Sequence, residues 1–527
     1  MSHASIHSYH IFLFPFKWEI YQGSKHQEAP LTKRANLVEL SQKVNEDFWE
    51  RFTYRPQIDS DGFHNYGEFA YFYDHTRDVL NLNEAYEGVN LKQYRYKGLS
   101  LNACYEFSTK AKSFSLEIED VLLNLYENGV GVISLFLKNT TYENKEDIFL
   151  INDFGRRIYP QYLGGYIPPT DAPKGSFLAN QISLSGVNTW LGKHVTEDFS
   201  HYNSLAHLQN QPFVLPKHLS AFMGEGFKTM HPGLDKGEIV VSPIIDDRMF
   251  TVCIYYNQEF IEKLAKRPLF NSTTKTKNDE FGYSANSDWY QFIFVDGSSP
   301  SCYSPEMMRD HIQKATYDRW LAYRNKNRLE GHLFGVSRYS FVVVASPAWY
   351  NQVIVRKHIS HQYFQLVLLS LVQRVYLINF SGEVARISQR LNGKTTLFNT
   401  ETKAISQLYL LYIRFVNRIF FREITSQEQG IELYDKLQIQ MRIRDEVNDL
   451  DKEISELNTY AEAQQQNRLT WIAGIFLPPS LVAGILGMNA IMENGEDFKI
   501  NIWMGIGLIL MTLIFSNFIL YLFKPKK

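Results

Sequence analysis

The sequence of 527 residues predicts an α/β cytoplasmic domain followed by a long stalk helix and two transmembrane helices. Three observations lead to this fold class. Strand and helix patterns alternate through the front of the chain, residues 431–473 contain no Gly or Pro, and two long stretches near the C-terminus carry no charge. The mean hydropathy of −0.27 excludes a polytopic membrane protein but leaves room for two spans.

The composition is that of an ordinary folded protein, with 45% hydrophobic and 21% charged residues. The 54 basic and 56 acidic residues give a net charge of −2, so the chain lacks the basic surplus of a protein that binds nucleic acid directly. Its three cysteines, Cys104, Cys253 and Cys302, are too far apart for a disulfide framework or a zinc site and fit a reducing cytoplasm.

The predicted organisation has six segments. They are a cytoplasmic α/β domain of one or two subdomains (1–360), a helical region with the stalk helix (361–468), transmembrane helix 1 (469–489), an outer loop (490–501), transmembrane helix 2 (502–523) and a basic cytoplasmic tail (524–527).

Elements of the front region are predicted from periodicity and capping residues. The helix patterns are Leu116–Asn128, Glu143–Tyr159, Pro305–Asn325, Phe364–Phe380 and Leu408–Phe421. Ser304 caps the third of them, with proline at its first position. The strand patterns are Val130–Leu137, Glu238–Ile245, Met249–Tyr256, Trp289–Val295 and Tyr339–Val344, and residues 246–248 join the second to the third.

The stalk is predicted by a seam of apolar residues with the 4-3 spacing of a packed helix. Its members are Ile443, Val447, Leu450, Ile454, Leu457 and Ala461. Charged residues lie mostly off this seam, which is typical of a solvated face. Because no break signal precedes Gly474, we expect one helix from Ile431 to Asn489, roughly 90 Å long.

The two uncharged stretches, Leu469–Asn489 and Ile502–Phe523, are each long enough to cross the hydrocarbon core, about 30 Å thick. A pair of buried core helices is the alternative, although core helices seldom run uncharged for so long. Three lysines follow the second stretch, so the positive-inside rule places both termini in the cytoplasm. We expect no signal peptide, because the apolar start His10–Trp18 is short and is interrupted by Pro15.

One face of the first span repeats along the helix at 100° per residue. Ser480, Leu477, Leu469 and Gln466 share this face. One helix cannot enclose a water-filled path, so conduction along this face requires an oligomer. In the alternative, the Ser480 hydroxyl bonds back to a backbone carbonyl near Pro478 and Pro479.

The end of the first span reads Gly487-Met488-Asn489, with Pro478 nine residues before the glycine and Ala483-Gly484-Ile485 in between. Together with the acidic stalk, the short acidic loop and a second span that ends in lysines, this resembles the CorA family of divalent cation transporters. The triplet alone is a weak signal, but the context makes it specific. The resemblance covers about 60 residues, or about 100 with the stalk.

The resemblance implies a homopentamer in the lipid bilayer, with the first span lining the pore and the second surrounding it. Asn489 would present a ring of oxygens to hydrated Mg²⁺ or another divalent cation, because such a small ion dehydrates reluctantly. The pore positions would be Gly487, Met488, Asn489, Ser480, Leu477, Leu469 and Gln466. Glu493, Glu496 and Asp497 in the outer loop would attract cations, and the two leucines would gate by dewetting.

The chain also departs from the family pattern. Leu486 stands where an aromatic residue usually precedes the triplet, and Met492-Glu493-Asn494 replaces the usual Met-Pro-Glu. Gln466 is polar where the innermost constriction is usually apolar. Ion selectivity and closure are therefore the properties in which this chain is expected to differ.

The front region is larger than a transport-type CorA protein needs. Its opening segment HIFLFPFKW and the overall length resemble CorA-like membrane effectors associated with type III CRISPR systems in bacteria. This resemblance implies an antiviral effector of the bacterial inner membrane. Its enlarged cytoplasmic domain would be a sensor for a nucleotide second messenger, either an S-adenosylmethionine–AMP conjugate or a cyclic oligoadenylate.

Such a ligand needs cations, and arginine forks suit phosphates. The candidates are the adjacent Arg156 and Arg157 and the turn residue Arg248. No family motif supports these positions, and each of them can instead pair with a surface acid.

The known motifs of phosphate-loop, metalloprotease, serine hydrolase and dithiol enzymes do not occur in the sequence, so we expect no enzyme. Two other functions remain open. One is a housekeeping Mg²⁺ transporter that intracellular Mg²⁺ regulates, and the other is a membrane-tethered scaffold that conducts nothing.

Overall fold

The computed structural model describes residues 5–26, 29–52, 70–80, 91–109, 112–158, 179–199, 214–245, 248–266, 281–391, 400–490, 506–507 and 510–515. The chain forms two compact units. The first comprises residues 1–383 and 411–450, and the second comprises 384–410 and 451–527. The domain boundary expected at residue 360 therefore falls inside the first unit.

The strands are β1 (Ser8–Ile20), β2 (Trp49–Arg51), β3 (Leu91–Tyr96), β4 (Leu99–Ser108), β5 (Ser113–Tyr126), β6 (Val130–Asn139), β7 (Gln181–Thr189), β8 (Gly192–Asp198), β9 (Phe227–Lys228), β10 (Ile239–Pro243), β11 (Phe250–Tyr256), β12 (Thr316–Tyr317), β13 (Arg324–Asn325), β14 (Arg328–Leu329), β15 (His332–Val336) and β16 (Ser340–Ala345).

The helices are α1 (Leu31–Arg34), α2 (Leu37–Ser41), α3 (Asp74–Arg77), α4 (Lys145–Phe154), α5 (Lys217–Met223), α6 (Gln258–Ala265), α7 (Ser287–Phe294), α8 (Pro305–Ala315), α9 (Arg356–Ser360), α10 (Gln362–Leu391), α11 (Thr400–Arg418), α12 (Glu428–Gln440) and α13 (Ile443–Ala490). A π-helical turn, Asn351–Val355, precedes α9.

Among the described residues, the first unit is built around a sheet of 14 strands. Its main path runs β12-β15-β16-β11-β1-β6-β5-β4-β7-β8, with β10 and β9 attached at β1 and with β3 and β2 attached at β5. Most pairs are antiparallel, whereas β11 runs parallel to β16 and β9 runs parallel to β10. The predicted strands around β10 and β11 exist, but they pair with successive parts of β1 rather than with each other.

The centre of the sheet is covered on both faces. On one face the ring of Phe136 lies 5.0 Å from that of Phe364 of α10. On the other face His10 contacts Asn152 of α4. Because both faces are buried, β1 and β6 are apolar along nearly their whole length rather than alternating. The string HIFLFPFKW is therefore a central strand.

Two predicted elements are wrong. Leu116–Asn128 lies mostly in strand β5, where alternating burial along Ser113–Glu119 and sheet pairing to β6 replace the expected helix. Trp289–Val295 lies in helix α7 rather than a strand. There the Asn286 side chain accepts a hydrogen bond from the Trp289 N–H at 2.9 Å and caps the helix, which outweighs the strand preference of aromatic residues.

Other predictions are confirmed with changed ends. The strands β6, β11 and β16 and the helices α4, α10 and α11 lie where the patterns placed them. Helix α8 begins as predicted, with the Ser304 hydroxyl accepting from the Met307 N–H and Pro305 at its first position. It ends at Ala315, because the next residues form β12 beside β15.

The prediction of one continuous stalk helix is also wrong, because the helix is interrupted between Gln440, the end of α12, and Ile443, the start of α13. Arg442 adopts a left-handed backbone with φ of 56°, and the Arg442 N–H donates to the Ile439 carbonyl. The seam itself is confirmed, since five of its six members are buried and Leu457 is half-buried.

Candidate functional site

The candidate pore segment is the C-terminal part of α13, which stays helical through Pro478 and Pro479 to Ala490. Gly487, Met488 and Asn489 therefore continue the helix in their backbone. The described part of the second predicted span, residues 506–507 and 510–515, is helical too. The loop residues Glu493, Glu496 and Asp497 lie outside the described residues.

The proposed pore face is open in this single chain. Leu469 and Leu477 are 60% and 64% exposed, and Gln466 and Ser480 are exposed as well. Burying a leucine side chain contributes about 1.5–3 kcal/mol, so a helix that exposes these residues is suited to lipid or to other copies of the chain rather than to water.

The Ser480 hydroxyl donates to the Leu477 carbonyl at 2.9 Å, which is the back-bonded geometry considered above as an alternative. This back-bonded geometry is compatible with a position of Ser480 on the pore face. Because this bond uses the hydroxyl proton, the Ser480 oxygen can only accept further hydrogen bonds or contact a cation.

In the described part of the chain, only the helix Asn351–Arg390 is long and apolar enough to cross a membrane, judged by length and composition alone. Its apolar window is 83% buried inside the protein. Burial of this kind is typical of a core helix, and Phe136 and Tyr376 contribute to that core.

The structure brings the three candidate arginines of the sequence together. An isolated antiparallel bridge joins Arg157 to Arg248, and the Met249 N–H donates to the Arg156 carbonyl at 2.8 Å. The side chains differ, however. Arg156 is 1% exposed and donates to the Val295 carbonyl at 3.2 Å, whereas Arg157 pairs with Asp153 at 2.7 Å. Arg156 therefore points into the core rather than to a ligand.

Arg248 is half-buried and lies against Tyr339, with its guanidinium carbon 5.4 Å from the ring centroid. Arg374 of α10 lies 5.2 Å from the same centroid and donates through Nη1 to the Arg338 carbonyl at 2.6 Å. Sequence reasoning missed Arg338, Tyr339 and Arg374. A usable signal existed for Arg374, which is the only charged residue between Gln362 and Gly382.

Among the described residues, no group of three or more His, Cys, Asp and Glu side chains is placed to hold a metal ion. His358 and His361 are three residues apart, a spacing that a pair of metal ligands can have. Instead, the His361 Nδ1 lies 2.8 Å from the Ser360 hydroxyl, and the ring of His358 packs edge-on against Tyr363.

Comparison with known proteins found one family. No curated protein and no solved structure matches the chain. The family model described as CorA-like Mg2+ transporter protein matches residues 380–524, about a quarter of the chain. The matched range contains α13 and both predicted spans, and a mixed α/β domain followed by a long helix fits the CorA-like layout. Proteins of that family are membrane transporters or channels for divalent cations rather than enzymes, and the match supports the CorA family for the C-terminal part of this chain.

Proposed function

We propose that the chain is the subunit of a CorA-type homopentameric channel for divalent cations in the bacterial inner membrane. The observation that carries this proposal is the family match over residues 380–524, which coincides with the segment whose sequence predicts the pore. The exposed apolar side chains of α13 support it, because five copies and the surrounding lipid would cover them.

In this pore Asn489 contacts the hydrated ion at the outer mouth, with Gly487 and Met488 completing the turn of helix around it. Ser480 supplies a second ring of oxygens, and its bond to the Leu477 carbonyl supports this role by turning the lone pairs away from the helix. Leu477 and Leu469 form apolar constrictions. Neutral oxygens fit Mg²⁺, which keeps most of its water shell when it binds.

The large first unit is the proposed sensor. A nucleotide second messenger, an S-adenosylmethionine–AMP conjugate or a cyclic oligoadenylate, binds this unit and changes the permeability of the pore, as in an antiviral effector of a type III CRISPR system. Arg248 stays a candidate contact because it is half-buried beside Tyr339. The burial of Arg156 and the Asp153 pairing of Arg157 make those two supporting residues.

A Mg²⁺ transporter regulated by intracellular Mg²⁺ is the second candidate, and the description of the matched family favours it. Flux measurements on the full chain in liposomes separate the two. Mg²⁺ flux that requires the nucleotide supports the effector, whereas flux that internal Mg²⁺ blocks and nucleotide leaves unchanged supports the transporter. Absence of flux under every condition refutes both and leaves the non-conducting scaffold.

A further inference from the structure

One edge of the large sheet brings together basic residues from three separate elements. Strands β11 and β16 run parallel, with Thr251 opposite Ser340, so the residues just before the two strands lie at the same edge. Arg248 precedes β11, and Tyr339 precedes β16. The Thr251 N–H donates to the Tyr339 carbonyl at 3.0 Å, which fixes the two segments to each other.

The third element is helix α10, which supplies Arg374. The guanidinium carbons of Arg248 and Arg374 lie 5.4 Å and 5.2 Å from the Tyr339 centroid, so they are no more than about 11 Å apart. Arg338 is exposed and next to Tyr339, and its carbonyl accepts from Arg374 Nη1. We name Arg248, Arg338 and Arg374 around Tyr339 the arginine cluster.

The loop that carries two of these residues is held in place. The Ser337 N–H donates to the Ser340 carbonyl at 2.9 Å, and the Tyr339 N–H donates to the Ser337 hydroxyl at 3.2 Å. The cluster is thus arranged before any ligand arrives, which lowers the entropy that binding would cost.

We infer that the arginine cluster is a binding site for a small anion that carries two or more phosphate groups. A guanidinium carries five N–H donors in a planar fork, which suits an anion with several acceptor oxygens. Arg248 and Arg374 are half-buried and can be reached from solvent. Two forks that approach from different elements match the several oxygens of linked phosphates, whereas a single carboxylate fits only one fork.

This inference names the ligand contacts of the proposed sensor unit. Of the two proposed messengers it favours the cyclic oligoadenylate, which has several phosphates, because an AMP conjugate carries only one. It rests on the proposed function only for the effect on ion flux. Binding is measured separately from flux, so failure of the site and failure of the channel are distinguishable. The probe is inorganic pyrophosphate, titrated by calorimetry into the full chain in nanodiscs of net-neutral phosphatidylcholine.

The expected result is saturable binding that weakens as NaCl rises. The double variant Arg248→Ala/Arg374→Ala should bind at least 10-fold more weakly. Lysines at the same two positions should bind with intermediate affinity, since they keep the charge but lose the fork. The matched control is Arg328→Ala, an exposed arginine of β14, which should bind as the wild type does. Thermal unfolding of each variant shows whether it is folded.

Three results overturn the inference. They are no binding to the wild type, equal affinity in the wild type and in a folded double variant, and an equal loss of affinity in the Arg328 control. A second arm adds phosphatidylglycerol to the nanodiscs. If this lipid competes with pyrophosphate in the wild type but not in the double variant, the phosphate that occupies the site is a lipid headgroup.

Discussion

Arg34 is the centre of a buried ion network in the first unit, and its removal gives a sharp test of the fold. Arg34 is 3% exposed, and its Nη2 donates to Glu383 Oε1 at 2.6 Å. Its Nη1 pairs with Glu19, and its Nε donates to the Ala29 carbonyl at 3.0 Å. Glu383 lies near the start of the CorA-like match, so this network anchors α10 to the front of the chain.

The perturbation is Arg34→Met, which keeps the side-chain length and removes the charge. Glu383 then loses its main partner in a buried place, and breaking such a pair costs about 3–5 kcal/mol, whereas Glu19 keeps Lys17 at 3.2 Å. The first unit has roughly 420 residues, so at ~2.1 cal/mol/K per residue its unfolding entropy is about 0.9 kcal/mol/K. The expected fall in Tm is therefore about 3–6 °C.

The assay is a double-mutant cycle read by thermal unfolding of the full chain in detergent. The variants are Arg34→Met, Glu383→Met and the double substitution. In the double variant, methionines at positions 34 and 383 face each other, and neither position carries a charge. The double variant should therefore be more stable than the sum of the two single losses predicts, by about 2 kcal/mol or more. Additive losses, with a coupling below about 0.5 kcal/mol, would refute the reasoning.

The remaining predictions concern the pore, the stalk and acid stability. Asn489→Ala should abolish the preference for divalent ions in liposome flux and leave the proposed pentamer intact. The control Asn458→Ala, at a half-buried asparagine of the same helix outside the predicted span, should keep that preference. Unchanged ion preference in Asn489→Ala counts against the pore assignment. Arg442→Gly should leave stability unchanged or raise it by up to about 1 kcal/mol, because glycine adopts positive φ without strain. In a continuous helix the same change would cost about 1 kcal/mol, so chemical unfolding distinguishes the two. Burial lowers the pKa of His10 and of His332 to about 4, so the unfolded chain binds more protons than the folded one below pH 6.5. Stability should be fully present above pH 6.5 and fall as the pH drops towards 4, by up to about 3 kcal/mol per histidine, and His10→Gln should flatten this dependence in unfolding measured against pH.

The buried surroundings of His10 show why acid acts there. Its Nδ1 lies 2.7 Å from Asn152 Oδ1, and its Nε2 lies 2.8 Å from the Ser8 hydroxyl. The Asn139 side-chain amide donates to the same hydroxyl at 2.8 Å. This hydrogen-bonded chain fits a neutral imidazole, so protonation forces it to rearrange. The sequence did not predict the contacts to Asn152 and Asn139, because each of them joins residues more than 100 positions apart.

The elements that depend on local sequence signals were predicted best. The cap at Ser304, the seam of α13 and the apolar strands β6 and β16 depend on neighbouring residues, and the structure confirms each of them. The prediction of a helix at Leu116–Asn128 was wrong because a short buried apolar run is compatible with either a helix or a strand. Pairing with β6 decides that this run is a strand.

The sequence alone predicted two membrane spans and gave the resemblance to divalent cation transporters, because an uncharged run of about 20 residues and the motif at Gly487–Asn489 are properties of adjacent residues. Only the tertiary structure decided that the stalk breaks at Arg442 and that Arg156 is buried. It alone placed Arg248 and Arg374 against one tyrosine. The physical reason is that sheet register and helix packing bring distant residues together, and a linear pattern carries no record of which partner a strand will choose.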